Sequence, residues 1–134
     1  MIQFTVPGIP APKGSRIPGR RKDGTIYTRP ASKNEKPWAE AIAHVARGAG
    51  WLPAPYSVRI EFTFPRPKRP KYAWPSTIDV DKAARLAVDA IVTAGCIDDD
   101  RHVTELHVCK RFGDEPGARV WIETADATQQ EGHK

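Results

Sequence analysis

At the centre of the chain stands Ser76-Thr-Ile-Asp-Val-Asp-Lys-Ala-Ala-Arg-Leu-Ala-Val-Asp-Ala-Ile-Val-Thr-Ala-Gly-Cys-Ile-Asp-Asp-Asp100, a helical pattern with acidic residues before and after it. Asp79 or Asp81 is a natural N-cap, and Gly95 stands where a left-handed residue commonly ends a helix. At about 100° per residue, one side of the helix collects charged residues and the other side collects alanines. The polar side holds Asp81, Lys82, Arg85, Asp89 and Thr93, and the small-residue side holds Ala83, Ala87, Ala90 and Ala94.

The acidic residues form two groups. Asp79 and Asp81 are two positions apart, so they leave the same face of an extended approach segment. After Gly95, only Cys96 and Ile97 precede residues 98–100, all three of them aspartates. If the chain turns back there, the second group approaches the first and offers Mg²⁺ the oxygen ligands that it prefers. The alternative is a capped helix followed by a solvated acidic turn.

Composition and charge indicate a single small domain that binds a polyanion. The chain has 134 residues, with 21 Lys and Arg against 16 Asp and Glu, a formal net charge of +5. Bases crowd residues 13–36 and 66–71, which suits a polyanion, whereas the alternative is a charge that serves solubility alone. Cys96 and Cys109 show no zinc-ligand spacing. No membrane span or signal peptide is visible, so we expect an intracellular protein with no membrane partner.

Two basic segments are candidates for phosphate binding. The first is rich in glycine and proline and the second in proline, as expected of loops. Long loops inside a compact domain are usually functional or disordered, and a solvated loop is the alternative here. Tyr72 and Trp74, just after the second segment, have the ring faces needed to stack on bases, although aromatics beside prolines are as often simple packing. The expected nucleic-acid-binding residues are Lys13, Arg16, Arg20, Arg21 and Lys22 in the first segment and Arg66, Lys68, Arg69 and Lys71 in the second.

Hydrophobic periodicity predicts an α+β fold, a small mixed sheet of about four strands packed with two helices. The closing pair of strands is expected to form a hairpin around Gly113–Gly117. Residues 1–124 make one domain, and the polar residues 125–134 are expected to be a disordered tail. The expected elements are a strand at 2–6, a helix at 34–48, a strand at 57–64, the central helix, a strand from 103 and a strand at 118–124.

With these residues laid out, the sequence resembles the RusA family of Holliday-junction resolvases. The family pattern is Asp-x-Asp-Asn leading a helix, a Lys on the next turn, Asp-Ala-Leu further along, then Gly, a short apolar run and Asp-Asp-x-Gln-Val. This chain has Asp79-Val-Asp81-Lys82, then Arg85, Asp89-Ala-Ile, Gly95-Cys-Ile-Asp and Asp99-Asp100-Arg-His102-Val103. The spacings agree without gaps, and the likeness spans roughly residues 2–124.

The resemblance implies a homodimeric, Mg²⁺-dependent endonuclease, with Mn²⁺ as a possible substitute, that nicks opposing strands of branched DNA at a four-way junction. Asp79, Asp81 and Asp100 match the family's essential acids, and Asp99 is a neighbouring metal ligand. Family members are often carried by phages and prophages, which implies a bacterial cytoplasm. The alanine side of the helix therefore has two alternative uses. It could form a contact between subunits, or it could pack on the sheet of its own chain.

Three departures from the family pattern leave the activity open. Lys82 replaces the family's Asn and Arg85 replaces its Lys, so we expect the cationic role to be shared between them, with Arg85 on a phosphate and Lys82 as the compact ammonium. His102 replaces the family's Gln. The competing possibility is that Lys82 pairs with the carboxylates and leaves a non-catalytic DNA binder. A third possibility is a hydrolase of small phosphates, for which the basic segments would be surplus.

Overall fold

The fold is known from a computed structural model that describes residues 1–14, 16–30 and 33–125, with the backbone alone for residues 16, 17 and 28–30. The predicted tail therefore lies outside the described residues, apart from Ala125. In chain order the elements are β1 (Ile2–Pro7), β2 (Arg16–Arg20), β3 (Ile26–Pro30), α1 (Glu35–Arg47), β4 (Tyr56–Phe64), α2 (Val80–Ala94), a short 3-10 helix (Asp100–His102), β5 (Val103–Phe112) and β6 (Gly117–Thr124).

Four strands form one mixed sheet in the order β1-β6-β4-β5. The strand β6 runs antiparallel to both β1 and β4, whereas β5 runs parallel to β4. The predicted mixed sheet of four strands with two helices is confirmed. The predicted hairpin between the last two strands is wrong, because β6 lies between β1 and β4 and β5 lies at the sheet edge. The side chains of Ala118, Val120 and Ile122 explain this placement, since all three are at most 1% exposed and fit a central strand.

Residues 16–30 form a hairpin where we expected a long loop. The strands β2 and β3 pair antiparallel as a separate two-stranded sheet. The turn between them is closed by the Arg21 amide, which donates to the Thr25 carbonyl at 2.8 Å, and Gly24 takes a φ of +92°. Gly19 lies opposite Tyr27, and an added Cβ would come 2.6 Å from the tyrosine ring. Glycine is therefore the residue that lets this ring cross the neighbouring strand.

The core lies between the sheet and the two helices. Alternate residues of β4, Val58, Ile60 and Phe62, are at most 1% exposed and face the helices. The alanine side of α2 belongs to the same core, with Ala83 and Ala87 essentially buried. Of its two alternative uses, packing within the subunit is therefore the one that the structure shows. Within the described residues, no helix is both long and apolar enough to cross a membrane.

Candidate active site and nucleic-acid interface

The first acidic group stands at the start of α2, as predicted. Asp79 is the N-cap, with extended backbone angles (φ −70°, ψ 134°), and its side chain makes no capping hydrogen bond. Its carboxylate lies instead in solvent, 70% exposed, with Oδ2 3.8 Å from Nζ of Lys82. Asp81 is exposed in the first helical turn. The positive end of the helix dipole stabilises both carboxylates at this position.

The segment that leads into Asp79 is held by a lysine that the sequence analysis did not single out. The ammonium group of Lys110, in β5, donates a hydrogen bond to the carbonyl oxygen of Ile78. In the sheet, Lys110 pairs with Phe62, which is fully buried. The sequence does mark Lys110 as unusual, because the alternation Val108, Lys110, Phe112 places a lysine on the apolar side of a strand.

The polar side of α2 continues from this end of the helix toward the middle. Lys13, from the first basic segment, lies along it. The Lys13 amide donates to the Lys82 carbonyl at 2.9 Å, and the Lys13 ammonium lies 3.3 Å from Oδ2 of Asp89. These contacts bring Lys13, predicted to bind DNA, next to Lys82, predicted to supply a cation at the site. Arg85 is exposed one turn further along the helix.

The second acidic group follows the other end of α2, after Gly95 has ended the helix with the predicted left-handed angle (φ +88°). The Asp98 amide donates to the Tyr56 hydroxyl at 3.1 Å, at the first residue of β4. Oδ1 of Asp98 lies 2.9 Å from Nδ1 of His102. The side chain of Asp99 caps the 3-10 helix by accepting a hydrogen bond from the Arg101 amide at 3.0 Å.

These contacts favour the ionised carboxylates. The hydrogen bond with His102 lowers the pKa of Asp98 below its ordinary value of 3.8. The backbone hydrogen bond from Arg101, followed by a hydrogen bond with the side chain of Asp100, lowers the pKa of Asp99. Asp98 and Asp99 therefore remain ionised at neutral pH.

The two acidic groups do not converge within one chain, so that expectation is wrong. The crossover from β4 to the parallel strand β5 makes α2 run back along the sheet. The helix has 15 residues and so separates its ends by about 22 Å. One end is fixed where Lys110 meets Ile78, and the other where Tyr56 meets Asp98. Consistent with this, the described part of the chain contains no group of three or more side chains arranged to hold a metal ion.

Apart from Lys13, which lies along α2, the predicted phosphate-binding residues occupy two surfaces. Arg20, Arg21 and Lys22 are exposed at the tip of the β2–β3 hairpin, where the Arg21 guanidinium carbon lies 4.8 Å from the centroid of the Tyr27 ring. Arg16 belongs to β2, and its side chain lies outside the described residues. The second surface is the connection from β4 to α2, whose bases are all exposed. These are Arg66, Lys68, Arg69 and Lys71.

Comparison with known proteins is consistent with this arrangement. The family described as Endodeoxyribonuclease RusA matches residues 7–123, which include β4, β5 and nearly all of β6, both helices, both acidic groups and both basic surfaces. A search among curated proteins finds no match. Because the family match covers most of the chain, the protein belongs to the RusA endodeoxyribonuclease family.

Proposed function

We propose that the protein is a Mg²⁺-dependent Holliday-junction resolvase that acts as a homodimer and nicks opposing strands of branched DNA, with Mn²⁺ able to substitute. The RusA family consists of Holliday-junction nucleases, which supports branched DNA as the substrate. The proposal includes a bacterial cytoplasmic location and a phage or prophage origin. One observation carries it: two exposed acidic groups lie at opposite ends of α2, each next to a cationic residue.

The length of α2 supports a site that is shared between two copies of the chain. Within one chain its length keeps Asp79 and Asp81 away from Asp99 and Asp100. A two-fold axis through the middle of α2 and β5 would align these elements of two copies in opposite directions. The start of α2 in one copy would then meet the end of α2 in the other, at both ends of the contact. Such an isologous dimer has two equivalent sites, as paired nicking of a two-fold symmetric junction requires.

The strand β5 offers a surface for this contact. It lies at the edge of the sheet, where backbone groups are available to another chain. Leu106 lies in register with the buried Val58, on the side of the sheet that faces the helices, yet it is 50% exposed. An open strand edge can pair with a strand of another chain, and the exposed Leu106 would add apolar area to such a contact. We therefore place the second copy against β5 and the exposed side of α2.

Each residue type has a physical task in such a site. The four carboxylates supply the oxygen ligands that a hard divalent cation prefers. Lys82 and Arg85 stand on the polar side of α2, where Arg85 presents a planar fork to a phosphate and Lys82 a compact ammonium. The exposed bases of the hairpin and of the β4–α2 connection hold neighbouring phosphates of the DNA arms.

Mixing two inactive variants tests the shared site. Asp79→Asn and Asp100→Asn should each abolish nicking of a four-way junction in Mg²⁺. A mixed dimer of the two would still contain one intact site, built from Asp79 and Asp81 of one copy and Asp100 of the other. We therefore expect the mixture, after refolding together, to recover nicking of a single strand. A mixture as inactive as its two components would contradict the shared site.

A second function is favoured by one contact, the 3.8 Å approach of Lys82 to Asp79. If this ion pair competes with the cation, the protein binds branched DNA without cutting it. Binding that persists in chelator, together with no nicking at any Mg²⁺ concentration, would support this function. The salt dependence of binding distinguishes a small-phosphate hydrolase from the resolvase and from the DNA binder. Only a protein with many phosphate contacts loses affinity steeply as salt is added.

A further inference from the structure

Two exposed aromatic rings stack on each other in the connection between β4 and α2. The ring centroids of Tyr72 and Trp74 are 5.0 Å apart and the ring planes differ by 13°. The pair is far from buried, since Tyr72 is 42% exposed and Trp74 is 57% exposed. Side chains this large normally lie in a core or an interface. What sets this pair apart from a single exposed ring is the nearly parallel stack, which a further flat ring can extend.

The pair lines a cavity of about 470 Å³. The cavity is bounded by Phe64 and Phe112 at the ends of β4 and β5, by the proline-rich connection, and by Ile78 on the approach to Asp79. Four prolines, at positions 65, 67, 70 and 75, restrict the backbone of this connection. A stiff loop loses little entropy when a ligand binds, so the rings are well prepared for one.

The charges around the cavity define the chemistry of its ligand. The Lys71 ammonium lies 5.8 Å from the centroid of the Tyr72 ring, and Arg69 lines the same cavity. The Arg66 guanidinium carbon lies 5.1 Å from the centroid of Phe112, another residue of the cavity. Flat aromatic faces surrounded by cations are suited to a flat ring attached to an anion. A nucleobase with its phosphate has this chemistry.

We propose that Tyr72 and Trp74 form a stacking platform for an unpaired nucleobase at the branch point of the DNA. Base stacking is interrupted where helical arms meet, so a base there is cheaper to expose than one inside a duplex. The platform ends only five residues before Asp79, which places the captured base next to the proposed cutting site. This inference rests on the proposed function, but it concerns binding and is tested without cleavage.

The first measurement compares two single strands in chelator. One is an oligothymidylate of about eight nucleotides and the other an abasic strand of the same length. We expect wild type to prefer the strand with bases by about tenfold, the effect of one base–aromatic stack. Trp74→Ala should lose the preference, and Trp74→Phe should keep part of it. Trp51→Ala is the matched control, because Trp51 is a 63% exposed tryptophan in the α1–β4 connection.

The second measurement uses a four-way junction with 2-aminopurine at the branch point, again in chelator. Its fluorescence should change on binding to wild type and Trp51→Ala, and much less on binding to Trp74→Ala. Equal affinity of wild type for the two single strands, or an unchanged preference in Trp74→Ala, would overturn the inference. A protein that stacks bases but never nicks a junction would instead refute the nuclease and leave the platform standing.

Discussion

Lys110 in the edge strand β5 donates a hydrogen bond to the carbonyl oxygen of Ile78, the residue directly before Asp79. The contact joins the sheet to the segment that carries the first carboxylate. Hydrogen bonds from a charged donor contribute about 1.5–3 kcal/mol. Lys110 is therefore a positioning residue, because it acts on the carboxylate through the backbone that it holds.

Replacing Lys110 with methionine should reduce Mg²⁺-dependent nicking by about 100-fold, the cost typical of a carboxylate displaced by about 1 Å. Binding of the junction in chelator should be unchanged, since no DNA contact is removed. Lys36→Met is the matched control, because the Lys36 side chain is 85% exposed on α1. Equal nicking rates for Lys110→Met and Lys36→Met would show that the contact with Ile78 does not position the site.

The local features of this site follow from sequence, whereas its long-range geometry does not. The ends of α2 are encoded by Asp79 and Gly95, whose preferences act within one turn. The separation of the acidic groups depends on which strands pair. A strand–helix–strand order is typical of a parallel crossover, in which the helix spans the sheet from end to end. Because we expected β5 to pair with β6 in a hairpin, we did not predict this crossover or the separation of the acidic groups that it imposes. The β2–β3 hairpin was missed because Pro18 and Gly19 are poor strand formers.

Glu61 is the buried acid of the sheet, and its removal should destabilise the fold. It is 8% exposed, with Oε1 2.5 Å from the Arg111 guanidinium and Oε2 3.7 Å from that of Arg59. Glu61→Gln keeps the shape but leaves these cations without their counter-charge. We expect the free energy of unfolding to fall by about 1–3 kcal/mol in urea titrations. Glu115→Gln, in the exposed turn between β5 and β6, should change it by less than about 0.5 kcal/mol.

The stability of the folded protein at acid pH should depend on the contact between Asp98 and His102. A hydrogen bond with His102 lowers the pKa of Asp98 in the folded state below 3.8. The stabilisation is therefore fully present above the unfolded-state pKa and is lost as the pH falls through the lower folded value, below about pH 4. In His102→Gln, the carboxyl carbon of Asp98 should titrate at a higher pH by NMR. His107→Gln, in the middle of β5, should leave this titration where it is in wild type.

Lys82 and Arg85 are the two departures from the family pattern that lie on α2. The Lys82 and Asp79 side chains are 46% and 70% exposed, and ion pairs this exposed are worth about 0.2–1 kcal/mol. A pair of that strength hinders a competing cation by at most about fivefold. Lys82→Asn should therefore reduce the Mg²⁺ concentration for half-maximal nicking by no more than about fivefold. If Lys82 also serves the phosphate, the maximal rate should fall. Arg85→Lys should leave the Mg²⁺ requirement unchanged and lower the rate, because an ammonium cannot reproduce a planar fork.

Metal titrations of junction nicking with wild type, Lys82→Asn and Arg85→Lys measure both quantities, with Lys36→Asn as the control for loss of an exposed lysine. A wild type that is inert across the titration, with nicking restored by Lys82→Asn, would mean that the ion pair dominates and that the protein is a DNA binder. Because the exposed pair is too weak to exclude a cation held by several carboxylates, we expect wild type to nick.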